Sequence, residues 1–392
     1  MDIVMVAPFA FSVKGTVRAR MLPIAEELVD RGHDVHIVIP PWDNPDEGGR
    51  IRNKHGVILH HLEVKFEYGL QHIYLVWKAI KKVQSLSPEI VHVFKPIGES
   101  SAVALFLTLL TEYPVVLDTD DWEGDGGQNE RRNRSWVEKR LIHYQEQITP
   151  QLVDAVTVAS RTLETQIWGH DIPKGRTFYA PNGQSPNRID IENTSADIVR
   201  RDLGIGDAPI VLLYTRFFEY RLERIVNLFS IVIDQYPQAE FIVIGKGKDN
   251  EHNEFRKMVE DSDISDSIHM LGWIEFEDLS DYFSATDVAV YPFEDTLINR
   301  SKCPAKLTEL MVSKVPVVAE GVGQISEYIQ HDQSGLLTPP GHQQAFANYV
   351  ITLLRDEDKR KTLGATARER ILSEFSWGSI TDTVEDSYEL VT

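Results

Sequence analysis

Short apolar runs alternate with amphipathic stretches along the whole chain, and this alternation predicts the fold class. In the first half the apolar runs are Ile3–Ala7, Val35–Ile39, Ile90–Phe94, Val115–Leu117 and Ala155–Ala159. They are rich in Val and Ile and show little alternation of apolar and polar positions, as parallel strands buried on both faces do. A helical face between the first two runs ends before Gly32, a predicted C-cap. The pattern predicts a doubly wound, parallel α/β sheet.

The same pattern starts again after a turn and a polar stretch. Ala180-Pro181-Asn182-Gly183 has turn chemistry, and polar residues continue to about Asp207. The second set of apolar runs is Ile210–Tyr214, Phe241–Gly245, Ile268–Gly272, Val288–Tyr291 and Val315–Ala319. We therefore expect two Rossmann-like domains, residues 1–185 and 186–375, and a last helix, about 376–392, that could pack on either. If the two sheets face each other, ligands bind in the cleft at their carboxyl ends.

The net charge, the cysteine content and the length of the apolar stretches exclude several classes of protein. The formal net charge of −20 argues against nucleic acid as a partner, so an anionic substrate needs a local positive pocket. A single cysteine, Cys303, excludes an intramolecular disulfide and suits a reducing compartment. The longest apolar stretch, Ala102 to Leu110, is far below the ~18 residues of a membrane span. We expect a cytoplasmic protein.

The segment from Asp295 to Met311 carries the most informative chemistry. Arg300, Lys302 and Lys306 place three cations within seven positions, next to a predicted helix N-terminus. Free N–H groups and cations at such a place bind a diphosphate. Glu309 follows one helical turn after Lys306, where a carboxylate accepts hydrogen bonds from a ribose diol. The alternative interpretation is a solvated loop followed by a surface carboxylate.

Two strand ends in the second half add candidates for phosphate binding. Arg216 and Arg221 follow the run Ile210–Tyr214, and two arginines there could clamp a phosphate. Gly245 and Lys246 close the next run, where a glycine lets a ligand approach the backbone. Ordinary surface arginines are the alternative for the first pair, and the second motif alone is weakly specific.

These motifs resemble those of the retaining, family-4-type (group 1) glycosyltransferases of the GT-B fold. The matching motifs are Thr215-Arg216 with Arg221, Ile244–Gly247, Glu309 before Pro316-Val317-Val318, Gly335-Leu336-Leu337-Thr338-Pro339, Pro181-Asn182-Gly183, and Gly15 with Gly32-His33-Asp34-Val35. The resemblance implies an N-terminal acceptor domain and a C-terminal domain that binds a UDP- or GDP-linked sugar. It further implies metal-independent transfer with retention, no cofactor, and a glycan, lipid-linked or small-molecule acceptor.

The chain departs from the family pattern at two places that bear on catalysis. The family's Glu-x7-Glu box would begin at Ser301, so the residue expected to face the transferred sugar is missing. A histidine often found near the reacting centre is also absent, and Asp118 and Asp120 are the candidates for that part of the site. Arg221 replaces a lysine and keeps its charge. Gly15 belongs to a glycine loop whose N–H groups could reach the acceptor or the donor phosphate.

Several alternatives remain open at this stage. Asp118-Thr119-Asp120 is also an Asp-x-Asp motif, which in the other glycosyltransferase fold, GT-A, holds a divalent cation. A basic island contains one aromatic residue and consists of Arg131–Arg134, Trp136, Lys139 and Arg140. The favoured interpretation is the solvated start of a helix, and the alternative is a peripheral contact at the inner membrane face. Competing functions are a sugar-nucleotide epimerase and a non-catalytic nucleotide-sugar-binding subunit.

Overall fold

The computed structural model describes residues 1–12, 15–66, 69–186, 189 and 194–392. Contacts between residues divide the chain into two compact units. The first unit contains Met1–Asn182, Arg300–Cys303 and Trp377–Thr392, and the second contains Gly183–Asn299 and Pro304–Ser376. The short segment 300–303 thus belongs to the first unit, although the sequence-based boundary placed it in the second.

An eight-stranded sheet forms the centre of the first unit. Its strands are β1 (Asp2–Val6), β2 (Asp34–Ile39), β3 (Ile51–Lys54), β4 (Val57–His61), β5 (Ile90–Phe94), β6 (Val115–Thr119), β7 (Ala155–Val158) and β8 (Thr177–Tyr179). Their order is β3-β4-β2-β1-β5-β6-β7-β8, and all neighbours are parallel except the β3–β4 hairpin. The five predicted runs of this half all form strands, whose central members are buried on both faces as the Val- and Ile-rich runs indicate.

A six-stranded, fully parallel sheet forms the centre of the second unit. Its strands are β9 (Ile210–Tyr214), β10 (Glu240–Ile244), β11 (Ile268–Gly272), β12 (Val288–Tyr291), β13 (Val317–Glu320) and β14 (Leu336–Thr338), in the order β11-β10-β9-β12-β13-β14. The five predicted runs of this half are strands as well. Two parallel α/β sheets therefore confirm the predicted fold class.

Helices connect the strands of each sheet. Those of the first half are α1 (Leu22–Asp30), α2 (Gly69–Leu86), α3 (Gly98–Leu110), α4 (Gln128–Arg131), α5 (Trp136–Leu152) and α6 (Arg161–Gly169). Those of the second half are α7 (Ala196–Asp202), α8 (Leu222–Gln235), α9 (Glu251–Glu260), α10 (Leu279–Ala285), α11 (Leu297–Ser301), α12 (Ala305–Val312), α13 (Ile325–Tyr328), α14 (Gln343–Arg355), α15 (Glu357–Glu374) and α16 (Trp377–Val391). Within the described residues, none of these helices is both long and apolar enough to cross a bilayer.

The C-terminal helix α16 packs on the first unit. Trp377, Ile380, Val384 and Tyr388 are buried in the same core as β1 and α1. The Tyr388 hydroxyl also lies 2.8 Å from His92 Nδ1, and both side chains are fully buried. Burial lowers the pKa of His92 to about 4, so this histidine is a neutral core residue.

Each sheet has one point at which the strand order reverses. In the first sheet β1 lies between β2 and β5, and in the second β9 lies between β10 and β12. Connections leave the central strand in opposite directions there, which opens a crevice outside the carboxyl ends of the strands. Arg216, Gly245 and Lys246 follow strands of the second sheet, and Asp118 and Asp120 lie at the end of β6 in the first.

Candidate functional site

The turn after β9 is held in a fixed shape and presents Arg216. The Thr215 amide donates to the Ile244 carbonyl at 2.9 Å, and the Phe217 amide donates to Thr215 Oγ1 at 2.7 Å. The Tyr220 hydroxyl donates to the same oxygen. Phe217 is buried and has a φ of +69°, a backbone conformation that costs a bulky residue energy and persists only when its surroundings enforce it. Arg216 itself is exposed.

Gly245 allows two strand ends to approach each other closely. A Cβ atom at this position would lie 1.8 Å from the Thr215 carbonyl oxygen, and the φ of Gly245 is +139°. Both facts exclude a side chain here without movement of the backbone. Lys246 follows directly and is exposed, so the strand end presents a cation at this edge.

Tyr214, Lys306 and Glu309 form a cluster at the same edge. The Lys306 ammonium lies 3.1 Å from the centroid of the Tyr214 ring, a cation–π contact. Burial and the hydrogen-bonded Glu309 carboxylate raise the pKa of Tyr214 well above its ordinary value. The phenol therefore stays protonated and donates to the carboxylate. Glu309 is 7% exposed, within α12.

A small cavity lies between the ends of β9 and β12, where the strand order reverses. Tyr214, Thr215, Tyr291 and Lys306 are among the residues that line it. The predicted donor residues Arg216, Lys306 and Glu309 follow or adjoin the strands around this cavity. We therefore treat this edge of the second sheet as the candidate donor site.

Arg221 lies in a different environment from the one expected. It precedes α8, its side chain is 77% exposed, and its Nε atom donates to Glu294 Oε1 at 2.6 Å. One edge of the Arg221 guanidinium is thus hydrogen-bonded to the Glu294 carboxylate. The pairing of Arg216 and Arg221 on one phosphate stays a prediction.

Arg300 and Lys302 are held in the first unit, which corrects the sequence-based division. Ser160 Oγ donates to the Ser301 carbonyl at 2.8 Å, and Asn182 Nδ2 donates to the Cys303 carbonyl at 2.7 Å. The Asn182 amide also donates to Cys303 Sγ at 2.9 Å. These bonds fix residues 300–303, in which Ser301 is buried and Arg300 exposed. A role for Arg300 and Lys302 in diphosphate binding stays a prediction.

Asp118, expected near the reacting centre, is an enclosed ion-pair residue. It is fully buried at the end of β6, and Arg20 donates to both carboxylate oxygens, at 2.8 Å and 2.5 Å. Thr157 Oγ1 donates to the second oxygen at 2.6 Å, and Arg20 Nη1 donates to Asn182 Oδ1 at 3.2 Å. Arg20 lies in a five-residue π-helical segment, Val17–Met21, that precedes α1. The Asp118 carboxylate therefore holds elements together and does not point into open space.

Asp120 belongs to an acidic cluster around Lys95, a residue that the sequence interpretation missed. Lys95 follows β5, is almost fully buried, and places its ammonium 2.7 Å from Asp120, 2.8 Å from Asp121 and 3.1 Å from Glu123. Burial disfavours its charge, but the three carboxylates outweigh burial and raise the pKa of Lys95. Thr16 Oγ1 donates to Asp120 Oδ2 at 3.1 Å.

This cluster lies at the reversal point of the first sheet. Gly15 begins the helical turn beside Thr16, whereas Val13 and Lys14 of the glycine loop lie outside the described residues. A signal for Lys95 was present in the sequence, because a charged residue directly follows the buried run Ile90–Phe94. Asp120 is thus the predicted acidic residue that remains next to a strand-end crevice.

The Asp-x-Asp motif does not present two carboxylates to a common point. Asp118 binds the Arg20 guanidinium, and Asp120 pairs with the Lys95 ammonium. In the part of the chain that the structure describes, no three His, Cys, Asp or Glu side chains are grouped to hold a metal ion. The cation partners of these two carboxylates are side chains of the chain itself.

Two family comparisons match the two halves of the chain. Residues 195–370 match the family described as Glycosyl transferases group 1, and residues 15–183 match the family described as Glycosyl transferase 4-like domain. The two matches together cover most of the chain and meet at the boundary between its two sheets.

Curated relatives with assigned activities are similar over variable lengths. A phosphatidyl-myo-inositol mannosyltransferase of Mycolicibacterium smegmatis is 22% identical over 100% of this chain and 94% of its own length. A GDP-mannose-dependent α-(1-6)-phosphatidylinositol monomannoside mannosyltransferase of Mycobacterium tuberculosis is 22% identical over 59% of this chain. That match spans 61% of the length of the M. tuberculosis protein.

Solved structures of GT-B glycosyltransferases share the fold of the chain. Sucrose-phosphate synthase from Thermosynechococcus elongatus is 20% identical with a TM-score of 0.78, covering 99% of this chain and 98% of that one. The Anabaena protein HepE, solved with UDP and glucose, is 17% identical with a TM-score of 0.76 and 99% coverage of both chains. At these identities the likeness shows the fold.

Proposed function

Because the chain belongs to the group 1 glycosyltransferases, we propose that it transfers a sugar from a nucleoside-diphosphate donor to an acceptor hydroxyl, with retention and without a metal ion. The observation that carries this proposal is the cluster of Tyr214, Lys306 and Glu309 at the edge of the second sheet. It combines a cation for phosphate with a carboxylate for a ribose diol, beside the strand-order reversal where nucleotides bind in such sheets.

The chemistry requires stabilisation of a departing diphosphate. The bond between the anomeric carbon and the diphosphate oxygen breaks, and the bond to the acceptor oxygen forms on the same face of the sugar. The acceptor proton passes to an oxygen of the leaving phosphate. Lys306, Arg216 and Lys246 supply positive charge at this edge, and the N-terminus of α12 adds the positive end of the helix dipole. Glu309 holds the ribose hydroxyls.

The charged side chains of the two units support the proposal of metal-independent transfer. The Asp118 and Asp120 carboxylates are neutralised by Arg20 and Lys95. Positive charge for the leaving group is available from side chains of the second unit, so no divalent cation is needed to balance it. We propose that turnover is insensitive to chelators.

The acceptor is proposed to be lipid-linked and reached at a membrane surface, because the first unit has an extended apolar face. Most of the large apolar side chains that are exposed in the described residues lie on α2, α3 and α5: Leu70, Ile73, Trp77, Leu109, Leu110, Trp136, Val137, Leu141, Tyr144, Ile148 and Leu152. α2 packs on α3 and α3 packs on α5, and exposed apolar side chains that include Trp and Tyr suit the interface of a bilayer.

Cations accompany this apolar face, which favours a membrane over a second protein copy. The Arg140 guanidinium lies 5.5 Å from the centroid of the Tyr144 ring, and the Lys78 ammonium lies 5.8 Å from that of Trp77. Other members of the basic island are partly paired, Arg132 with Glu123 and Lys139 with Glu130. The name of the M. smegmatis relative also denotes a phosphatidylinositol acceptor.

The test is turnover of a donor by the full chain in EDTA. UDP-, GDP- and ADP-linked hexoses are supplied with vesicles that contain lipid-linked sugar or phosphatidylinositol, and nucleoside diphosphate release is followed. We expect release with one donor, unchanged by EDTA, and a product with the anomeric configuration of the donor by NMR coupling constants. An inverted product contradicts retention. Nucleotide binding without any release favours the non-catalytic subunit, for which the buried Ser301 at the glutamate position is the supporting observation.

A further inference from the structure

A groove with unusual chemistry lies between β4 and α2 of the first unit. Its volume is about 330 Å³, within the range of small-molecule sites. His60 and Leu62 line one side, and Lys78, Lys81 and Lys82 line the other. None of these residues belongs to the proposed donor site, which lies in the second unit.

The three lysines concentrate positive charge in a chain of net charge −20. They occupy two successive turns of α2, so their ammonium groups share one side of the helix. Among the residues that the structure describes, none of the three forms an ion pair with a carboxylate. Glu63 also lines the groove, but its carboxylate lies 3.1 Å from the Lys65 ammonium. Uncompensated like charges at one groove repel each other, and an anionic ligand bound there would relieve this repulsion.

His60 provides a second, independent observation. It is 6% exposed, and its Nε2 atom lies 3.0 Å from Nδ1 of His36. Its other ring nitrogen, Nδ1, is buried with no hydrogen-bond partner among the described residues. A buried polar atom without a partner is unfavourable, and a bound ligand that supplies the missing hydrogen bond recovers that loss. Burial and the nearby Lys82 ammonium lower the pKa of His60 to about 4, so the ring is neutral near pH 7.

We propose that this groove binds a phosphate ester of headgroup size, with the phosphate on Lys78, Lys81 and Lys82 and a hydroxyl of the ester on His60 Nδ1. Lysine is a strong point-charge ligand for phosphate, and the neutral imidazole pairs with a hydroxyl group. Leu62 and the edge-strand residue Ile51 supply apolar contact for the carbon skeleton. The ester is either a soluble polyol phosphate or the headgroup of a phospholipid.

The phospholipid source is favoured by the position of the groove on α2. The same helix exposes Leu70, Ile73 and Trp77, each with an exposed fraction of 51% or more. A headgroup in the groove would therefore have an apolar surface beside it for the acyl chains or the bilayer interface. The inference stands on the groove itself and does not depend on the transferase reaction.

The experiment compares soluble and vesicle-bound phosphate esters on the full chain. Glucose 1-phosphate and inositol 1-phosphate are titrated by calorimetry, and binding to phosphatidylcholine vesicles with and without about 30 mol% of the anionic lipid phosphatidylinositol is measured by co-sedimentation. The variants are the double variant Lys81→Ala/Lys82→Ala and His60→Leu, which keeps every lysine. The matched control is Lys359→Ala/Lys361→Ala, which removes two lysines from the second unit.

The outcomes separate the two sources and can overturn the proposal. Soluble ester binding that is lost, at least tenfold, in both groove variants and kept in the control supports a soluble polyol phosphate. Vesicle binding that requires phosphatidylinositol and falls in both groove variants, without soluble ester binding, supports a lipid headgroup. Absence of binding to both the soluble esters and the vesicles overturns the site. Vesicle binding that is unchanged in His60→Leu also overturns it, because unchanged binding indicates diffuse attraction to lysines. A melting temperature near that of the wild type shows that each variant is folded, and a retained response to nucleoside diphosphate shows that the donor site is intact.

Discussion

The Asp118 carboxylate accepts three hydrogen bonds, two from Arg20 and one from Thr157, and is sealed from solvent. The sequence placed this aspartate directly after a predicted strand, and in the structure it lies within the last residues of β6. Which way its side chain points depends on Arg20, 98 residues away in the sequence. No local pattern reveals such a pairing, so a structural role was indistinguishable from a catalytic one.

Removal of one partner of this ion pair should destabilise the first unit strongly. We expect Asp118→Ala to cost about 3–5 kcal/mol of unfolding free energy, because Arg20 is left charged and buried. Urea unfolding of Asp118→Ala, of the single variants Arg20→Met and Asp118→Leu, and of the double variant Arg20→Met/Asp118→Leu measures the effect. The double variant should be more stable than the additive sum of its single substitutions. Equal stability of Asp118→Ala and the wild type would show that the carboxylate is not needed for the fold.

Gly245 was predicted to let a ligand approach the backbone, and that role stays a prediction. The structure gives another reason for a glycine at this position, since a Cβ atom would collide with the Thr215 carbonyl. We expect Gly245→Ala to displace the turn that carries Arg216 and to weaken nucleoside diphosphate binding at least tenfold, about 1.4 kcal/mol. Calorimetry measures this loss.

The matched control for Gly245 is Gly204, which has a φ of +68° and no atom within 4 Å of the position that a Cβ atom would take. Gly204→Ala should cost only the backbone strain, about 1–2 kcal/mol of stability, with nucleotide affinity unchanged. If both variants bind nucleotide alike, the close approach of β9 and β10 is irrelevant to the donor site.

At the scale of elements, the sequence predicted ten of the strands in the described residues and missed β3, β4, β8 and β14, three of which lie at sheet edges. Nine of the ten predicted strands are largely buried, whereas the tenth, β11, is an edge strand whose residues are mostly half-buried. The edge strand β3 has the sequence Ile-Arg-Asn-Lys and is exposed throughout, so no pattern of buried positions predicts it. Its pairing with β4 is set by the hairpin at His55 and Gly56, both with positive φ. Edge strands thus depend on a neighbour more than on their own composition.

Helix α5 exposes an apolar face to solvent. Ser135 and Glu138 form a capping box that fixes its start. Val137, Leu141, Tyr144, Ile148 and Leu152 recur at intervals of three and four residues and are each at least 40% exposed, over about 22 Å of helix. A surface helix of a globular protein normally presents charged residues on this side.

This stripe should be needed for membrane contact and not for folding. We expect Leu141→Glu/Ile148→Glu to reduce co-sedimentation with anionic vesicles at least tenfold, because burial of each side chain contributes about 1.5 kcal/mol or more. The melting temperature should be unchanged, since both positions are exposed. Trp273→Glu, an exposed aromatic of the second unit, is the control. Unchanged vesicle binding, or a dimer that the double variant dissociates, would assign the stripe to another partner.

At the scale of the whole molecule, the repeated βαβ pattern was sufficient to predict two sheets, and the strand-end motifs were needed to predict the family. The pattern did not place residues 300–303 in the first unit, because their contacts span more than 100 residues, and it left open which unit α16 packs on. Long-range contacts of this kind leave no periodic signal. Arg216, Gly245 and Lys246 were singled out because each follows a strand, and their role in donor binding stays a prediction. Arg20 and Lys95 were missed.

The central claim is that the edge of the second sheet binds a nucleoside diphosphate through Glu309. Calorimetric titration of UDP, GDP and ADP into the wild type, Glu309→Ala and the surface control Glu357→Ala, all in EDTA, tests it most directly. We predict that one nucleotide binds the wild type and the control equally and binds Glu309→Ala at least tenfold more weakly, a loss of about 1.4 kcal/mol or more. Failure of all three nucleotides to bind the wild type, or unchanged affinity in Glu309→Ala, would contradict the account.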